Sequence, residues 1–212
     1  MKTNEELTPR ERRYQRTQQA ILDAALALIR EKGVDGLSIR AIADRIDYSP
    51  AGLYEYYGSK EEIIEALCMQ GLERFGRYLA SVEPSLSAEK YMEALGLAYI
   101  DFAVKNADFF LLMFTLAPMQ YSQYINNTTS SAEENLNQDH AFMTLVHGVE
   151  RCVAEGIFQL KPNFGVLEMA RTFWSMSHGI AMLQLTVLQQ MPATEETIRQ
   201  MFRAIFEGIR QR

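Results

Sequence analysis

The chain has 212 residues, 48% of them hydrophobic and 23% charged, which is enough apolar material for a packed core and too much for a disordered chain. Twelve glycines and six prolines exclude a collagen-like or low-complexity protein. Two cysteines 84 positions apart, Cys68 and Cys152, exclude a disulfide framework. No window approaches the run of about 20 apolar residues that a membrane helix needs, and Met1 to Arg16 lacks the apolar stretch of a signal peptide. A cytoplasmic protein with reduced thiols and no membrane partner is expected.

The net charge of −6 is unevenly spread. Residues 1–60 carry ten Lys/Arg against nine Asp/Glu, and residues 61–212 carry eleven against eighteen. A near-neutral head on an acidic body is compatible with a head that meets phosphate and a body that does not.

Helical periodicity runs through the chain, so the expected fold class is all-α. Residues 1–13 read as a flexible basic tail. Ile21, Ala25, Leu28 and Ile29 mark one face of a first helix that ends at Gly33, which can take a left-handed cap. Ser38 stands where it can cap a second helix carrying Ile39, Ile42, Ala43 and Ile46. Asp47-Tyr48 makes a short break, and Asp tolerates the left-handed turn. Ser49-Pro50 opens a third short helix ending near Tyr57-Gly58, with Pro at the first helical position. Ser59 followed by Glu62 has a capping-box pattern and starts a long fourth helix that stops before Pro84.

Larger helices follow, over Ser87–Asn106, Asp108–Leu116, Glu133–Glu155, Phe164–Gln190 and Thr194–Arg210. Pro118 and the loop Asn126–Ser131 stand between the second and third of these. The expected division is a tail at 1–13, a helix-turn-helix head at 14–60, a linking helix at 61–82 and a larger body at 83–212.

Two very short helices joined by a tight turn, behind a longer first helix, have helix-turn-helix proportions. Small residues at the start of the third helix, Ser49-Pro50-Ala51-Gly52, let its backbone approach base edges. Tyr54, Tyr56 and Tyr57 set phenolic hydroxyls at the groove edge, and Lys60 begins the next helix, where its ammonium can meet phosphate. Among the arginines of the N-terminal stretch, Arg16 is the expected DNA contact.

The stretch Gly36-Leu37-Ser38-Ile39-Arg40-Ala41-Ile42-Ala43, followed by Ser49-Pro50-Ala51-Gly52-Leu53-Tyr54-Glu55-Tyr56-Tyr57-Gly58-Ser59-Lys60-Glu61-Glu62, resembles the signature of the TetR family of bacterial transcriptional regulators. The resemblance covers residues 14–70 in detail. It implies a homodimeric, ligand-responsive regulator, usually a repressor, that binds a double-stranded operator. Carried over by position, Ser38 and Arg40 touch the phosphate backbone, Ser49, Pro50, Ala51 and Gly52 face bases, and Tyr54, Tyr56 and Lys60 hold phosphates. The chain departs from the pattern at Asp47, where glycine is usual, and at Tyr57, where Phe is common. It departs again at Glu55, at a position often used for DNA contact, where a carboxylate suits a cytosine amine.

In the body, Ile198, Met201, Phe202, Ile205, Phe206 and Ile209 form an apolar stripe at helical spacing. The preceding helix is apolar on nearly all sides, with Phe173, Ile180 and Val187 along one track. A dimer built from these two helices is expected, and the resemblance places dimerisation there too. An excess of aromatic and methionine residues, Phe110, Met113, Phe114, Met119, Tyr121, Phe142, Met169 and Phe173, suggests a mainly hydrophobic effector cavity. Trp174-Ser175-Met176-Ser177-His178-Gly179 resembles a Trp…His-Gly element of some TetR-type bodies, with Trp174 and His178 on one face.

His140 and His147 are seven apart and lack the spacing of a metal pair, and no nucleophile elbow, phosphate loop or dinucleotide motif is present. No metal, cofactor or catalytic residue is expected. Two other readings remain open at this point: a DNA-binding head on a protein-interaction body without a ligand, and a helical small-molecule binder that does not bind DNA.

Overall fold

Each helix of the head starts where a side chain takes over an orphan amide. In the computed structural model, which describes residues 7–116 and 140–210, α1 runs over Pro9–Lys32. Thr8 Oγ1 accepts from the Glu11 N–H at 3.2 Å, while the Glu11 carboxylate accepts from the Thr8 N–H at 2.7 Å. The helix therefore begins at Pro9 and not at residue 14. Arg10, Arg12 and Arg13 ride on its first turns instead of on a flexible tail. Gly33 closes α1 with φ 73°, its N–H donating to the Ile29 carbonyl at 2.8 Å.

A 3₁₀ turn at Val34–Gly36 leads to α2, Ile39–Arg45, which Ser38 caps through the Ala41 N–H at 3.1 Å. Asp47 takes the left-handed conformation with φ 52°. α3 is a single turn, Pro50–Leu53, capped by Ser49 through the Gly52 N–H at 3.0 Å. Its expected extension to Tyr57 is instead a hydrogen-bonded turn, with the Tyr56 and Tyr57 amides both donating to the Leu53 carbonyl.

α4 spans Lys60–Ala80. Ser59 caps it through the Glu62 N–H at 3.2 Å, but the Glu62 carboxylate reaches past Ser59 to the Gly58 N–H at 2.7 Å. The box is thus displaced by one residue. Ile21, Ala25, Ile42, Leu53, Ile63 and Leu67 are sealed from solvent, each buried Ile or Leu contributing about 1.5–3 kcal/mol.

The described chain divides into two compact units inside α4, at Gly71–Leu72, and the stretch from Leu111 groups with the first. The second unit holds α5 (Ala88–Lys105), α6 (Ala107–Leu111, which crosses the division), α7 (His140–Ala154), α8 (Val166–Leu185) and α9 (Glu195–Ile209), with α5 packed against α7, α8 and α9. The helix expected over 108–116 is α only as far as Leu111, and Leu112–Leu116 is wound as a π-helix. α8 starts at Val166 and ends at Leu185, short of the expected Phe164–Gln190. The Thr186 hydroxyl donates to the Met182 carbonyl at 2.6 Å and the chain turns away. Pro118, Met119, Tyr121, the loop 126–131, residues 133–139 and the side chain of His140 lie outside the described residues.

Gly96 decides how α9 sits on α5. A Cβ there would stand 1.9 Å from the Phe202 ring, so only glycine lets that ring lie against the α5 backbone. Phe206 then stacks with Phe158 at 5.3 Å and meets Phe173 at 5.1 Å between ring centres. Ion pairs Arg199–Glu93 and Arg210–Glu89 fasten the outer edges of the same two helices. Arg151 of α7 donates to the Pro84 and Leu86 carbonyls, holding the approach to α5.

Cys68 on α4 and Cys152 on α7 are both buried, and burial pushes their thiols up to about 11 and about 12. Among the described residues β-structure is confined to one bridge, Lys161–Phe164, and no helix is long and apolar enough to cross a membrane.

Candidate DNA-binding face and effector site

The head offers a surface of small and polar groups on a rigid base. Leu53 is wholly buried and anchors α3, while Ser49, Pro50 and Ala51 on the same turn are exposed. Ser38 and Arg40 are exposed at the first turn of α2, and Arg16 is exposed on α1. Tyr54 is 57% exposed, a high value for an aromatic ring. Lys60 is half-buried at the first position of α4. Gly52 is half-buried because the Tyr48 ring lies against it, 2.6 Å from where a Cβ would stand. Glu55 is exposed and Tyr56 half-buried.

The base is braced by a bidentate pair. Arg45 of α2 donates to both oxygens of Glu31 on α1, at 2.8 and 2.6 Å, and this holds the Glu31 carboxyl below the usual carboxylate range. Tyr57 is half-buried, and burial pushes its hydroxyl up.

In the second unit, the Tyr99 hydroxyl of α5 joins the two residues singled out on α8. The Trp174 indole N–H donates to it at 3.4 Å, and it shares a hydrogen bond with His178 Nδ1 at 2.8 Å. Phe142 lies 5.7 Å from Trp174 between ring centres, and Phe110 lies 5.3 Å from His178. This is a hydrogen-bonded line of three side chains within an aromatic wall. Tyr99 went unnoticed in the sequence because one tyrosine on an apolar helix face reads as core.

The other residues expected to line a cavity are placed elsewhere. Phe173, next to Trp174 but turned about 100° around the helix, belongs to the Phe158–Phe206 stack. Met169 is wholly buried. Met113, wholly buried, and Phe114 sit on the π-helical turn, which belongs to the first unit. Tyr121 lies outside the described residues.

Burial pushes His178 below the usual imidazole range. Below about pH 6.5 the unfolded chain takes up a proton that the folded chain resists, so this contribution to stability falls as pH drops. The melting temperature is expected to decline from about pH 7.5 to about pH 5.5, and the decline is expected to shrink in His178→Gln. An equally steep decline in the variant would assign it to other groups.

The apolar stripe of α9 is the main correction. Ile198, Phe202, Phe206 and Ile209 are buried within the chain's own core, as is Phe173, so they are not free to meet a partner. The exposed apolar residues of this region are Leu183 (45%), Val187 (78%), Met191 (76%) and Met201 (41%), with Ile180 and Ile205 half-buried.

Two sequence profiles cover this arrangement. "Bacterial regulatory proteins, tetR family" matches residues 21–67, and "Tetracyclin repressor-like, C-terminal domain" matches residues 92–207. The chain belongs to the TetR family. It is similar to the uncharacterized HTH-type transcriptional regulator YobS of Bacillus subtilis (strain 168), 22% identical over 156 residues, covering 68% of this chain and 82% of that protein. Among solved structures it is similar to the TetR family transcriptional regulator PfmR from Thermus thermophilus, with a TM-score of 0.65 at 22% identity, covering 90% and 99% of the two chains. A transcriptional regulator from Saccharomonospora viridis in complex with choline has a TM-score of 0.68 at 18% identity, covering 93% and 100%.

TetR regulators bind DNA operators, and the family profile for residues 21–67 spans α2 and α3. The departure at Asp47 is absorbed locally. The family's usual glycine supplies positive φ without cost, and this chain obtains the same conformation from Asp, which tolerates it better than most side chains.

Proposed function

We propose that this TetR-family regulator is a homodimeric repressor that holds a near-palindromic operator and releases it when a small, mainly hydrophobic molecule occupies the second unit. The observation that carries the DNA half is α3 itself. A one-turn helix with Ser49, Pro50 and Ala51 exposed and Leu53 fully buried presents backbone and small side chains outward from a fixed base. Ser49, Pro50, Ala51, Gly52 and Glu55 are assigned to base edges. Arg16, Ser38, Arg40, Tyr54, Tyr56 and Lys60 are assigned to phosphates. Such a protein works in the cytoplasm, where bacterial DNA is.

The effector is assigned to the wall formed by Phe110, Phe142, Trp174, His178 and Tyr99, where aromatic faces take apolar groups and the hydrogen-bonded line selects for one polar group. The choline complex of the Saccharomonospora viridis neighbour supports a small molecule as occupant of this fold. The partner copy is assigned to the exposed apolar side chains of Leu183 on α8, Val187 and Met191 in the turn after it, and Met201 on α9. Four large apolar side chains left exposed along this one stretch of chain are what a partner surface would cover. A two-fold protein presents two recognition helices, so the operator half-sites are expected about one helical turn apart or somewhat more.

A footprint on DNA flanking the regulator's own gene tests the reading, with Lys60→Ala as its control. The variant is expected to weaken binding to all sequences alike and to reduce the salt slope by about one unit. An unchanged slope would take Lys60 off the list of contacts. Absence of any footprint would favour a helical binder that does not act on DNA.

A further inference from the structure

The recognition helix is too short to hold its own shape. A single turn of four residues lies far below the length at which helices persist unaided, so its orientation must come from its surroundings. One side is fixed by Leu53 in the core and one end by the Ser49 cap. The other end, the turn over Tyr54–Tyr57, is closed by aromatic rings. The Tyr56 ring is stacked on Tyr14 of α1, 4.7 Å between centres and 26° between planes. Tyr48 meets the same ring edge-on at 6.2 Å, with the two hydroxyls 3.5 Å apart. Tyr48 in turn lies against Gly52 inside α3. The Tyr14 hydroxyl donates to the Glu55 carbonyl at 3.4 Å, so it touches the backbone of the turn as well as its ring.

We infer that Tyr14 is a positioning residue for operator reading: through Tyr56, Tyr48 and the Glu55 carbonyl it sets the angle at which α3 meets base edges. Tyr14 is 41% exposed and sits outside the apolar core, so the fold does not rest on it. Its stacking and hydrogen bond both lead to the recognition segment. Stacked and edge-on aromatic pairs favour specific angles, which gives this arrangement directional content that an aliphatic contact lacks. Phosphate contacts place a protein on DNA without reading sequence, whereas base contacts demand correct orientation. Loosening α3 should therefore damage discrimination before it damages attachment. This rests on the assignment of α3 to operator DNA.

The test compares the full-length protein with Tyr14→Ala, Tyr14→Leu and Tyr14→Phe on two duplexes. One carries the footprinted operator, and the other is a scrambled sequence of equal length and composition. Binding is followed by fluorescence anisotropy across a salt series. Tyr14→Ala and Tyr14→Leu are expected to lose about tenfold in operator affinity. Their affinity for the scrambled duplex and their salt slope should stay as in the parent, so the ratio between duplexes narrows. Tyr14→Phe keeps the ring and is expected within about threefold of the parent.

Should Tyr14→Ala melt below the assay temperature, Tyr14→Leu, which keeps apolar bulk without a ring to stack, decides alone. Equal losses on both duplexes with a shallower salt slope would make Tyr14 a phosphate contact and overturn the inference. An unchanged ratio in both variants would overturn it too. A parent protein that fails to prefer operator over scrambled DNA would instead remove the assignment of α3.

Discussion

Phe202→Ala is expected to lower folding stability by about 3–5 kcal/mol, whereas Leu183→Asp combined with Val187→Asp is expected to leave each chain folded and separate the two copies. The contrast follows from where the side chains point. Phe202 is 1% exposed, lying on the bare backbone of Gly96, and alanine would leave a cavity that two rigid helices cannot close. Leu183 and Val187 are on the outer side, so aspartate there is well solvated in one chain. In the proposed dimer the same charges would be unpaired in an apolar interface, at a cost of several kcal/mol. Urea unfolding reads the first effect and sedimentation the second. A double aspartate variant that stays dimeric would move the interface away from the end of α8 and the turn that follows it.

The second large effect concerns the tryptophan. An effector that frees operator DNA is expected to shift or quench the emission of Trp174, because filling the aromatic wall changes the polarity and hydrogen bonding around its indole, whose N–H now donates to Tyr99. Both signals should follow one binding curve. Tyr99→Phe removes the hydroxyl that joins Trp174 to His178 while keeping the ring packed against Phe75 at 5.1 Å. It is expected to raise the effector concentration for half-release by about tenfold, the scale of one lost buried hydrogen bond. Operator affinity without effector should not change. Trp174→Ala should lose more of the response. An effector that releases DNA with Trp174 emission untouched would place its site away from this wall.

The parts of the fold that depend on neighbours in sequence were legible in it. Ser38 and Ser49 cap because a hydroxyl three residues before an amide can reach it in almost any context, and Asp47 turns left-handed for an equally local reason. What the stripe on α9 meets was not legible. Periodicity tells which face of a helix is apolar, not which surface covers it. Ile198, Phe202 and Phe206 satisfy an inner core and a dimer seam equally well on paper. The discriminating signal was Gly96, an isolated glycine within an apolar helix, whose meaning depends on a ring about a hundred positions away. Tyr14 and Tyr99 were hidden for the same reason. Each acts on partners 41 to 79 positions distant, and only folding brings them together. Phe173 and Trp174 are adjacent in sequence but diverge around α8, and so one cavity-lining group became a core stack and a separate polar line.

Cysteine placement has a practical consequence. Thiol-directed dyes and spin labels are attacked by the cysteine thiolate, and both native thiols stay protonated at neutral pH behind packed side chains. The native sequence can therefore be labelled at one chosen place without first removing either cysteine. A cysteine introduced at exposed Gln15, beside Tyr14 on α1, would carry the only readily reactive thiol in the chain. Two such labels, one on each copy of the proposed dimer, would turn the separation of the two heads into a distance that can be followed as DNA or effector is added.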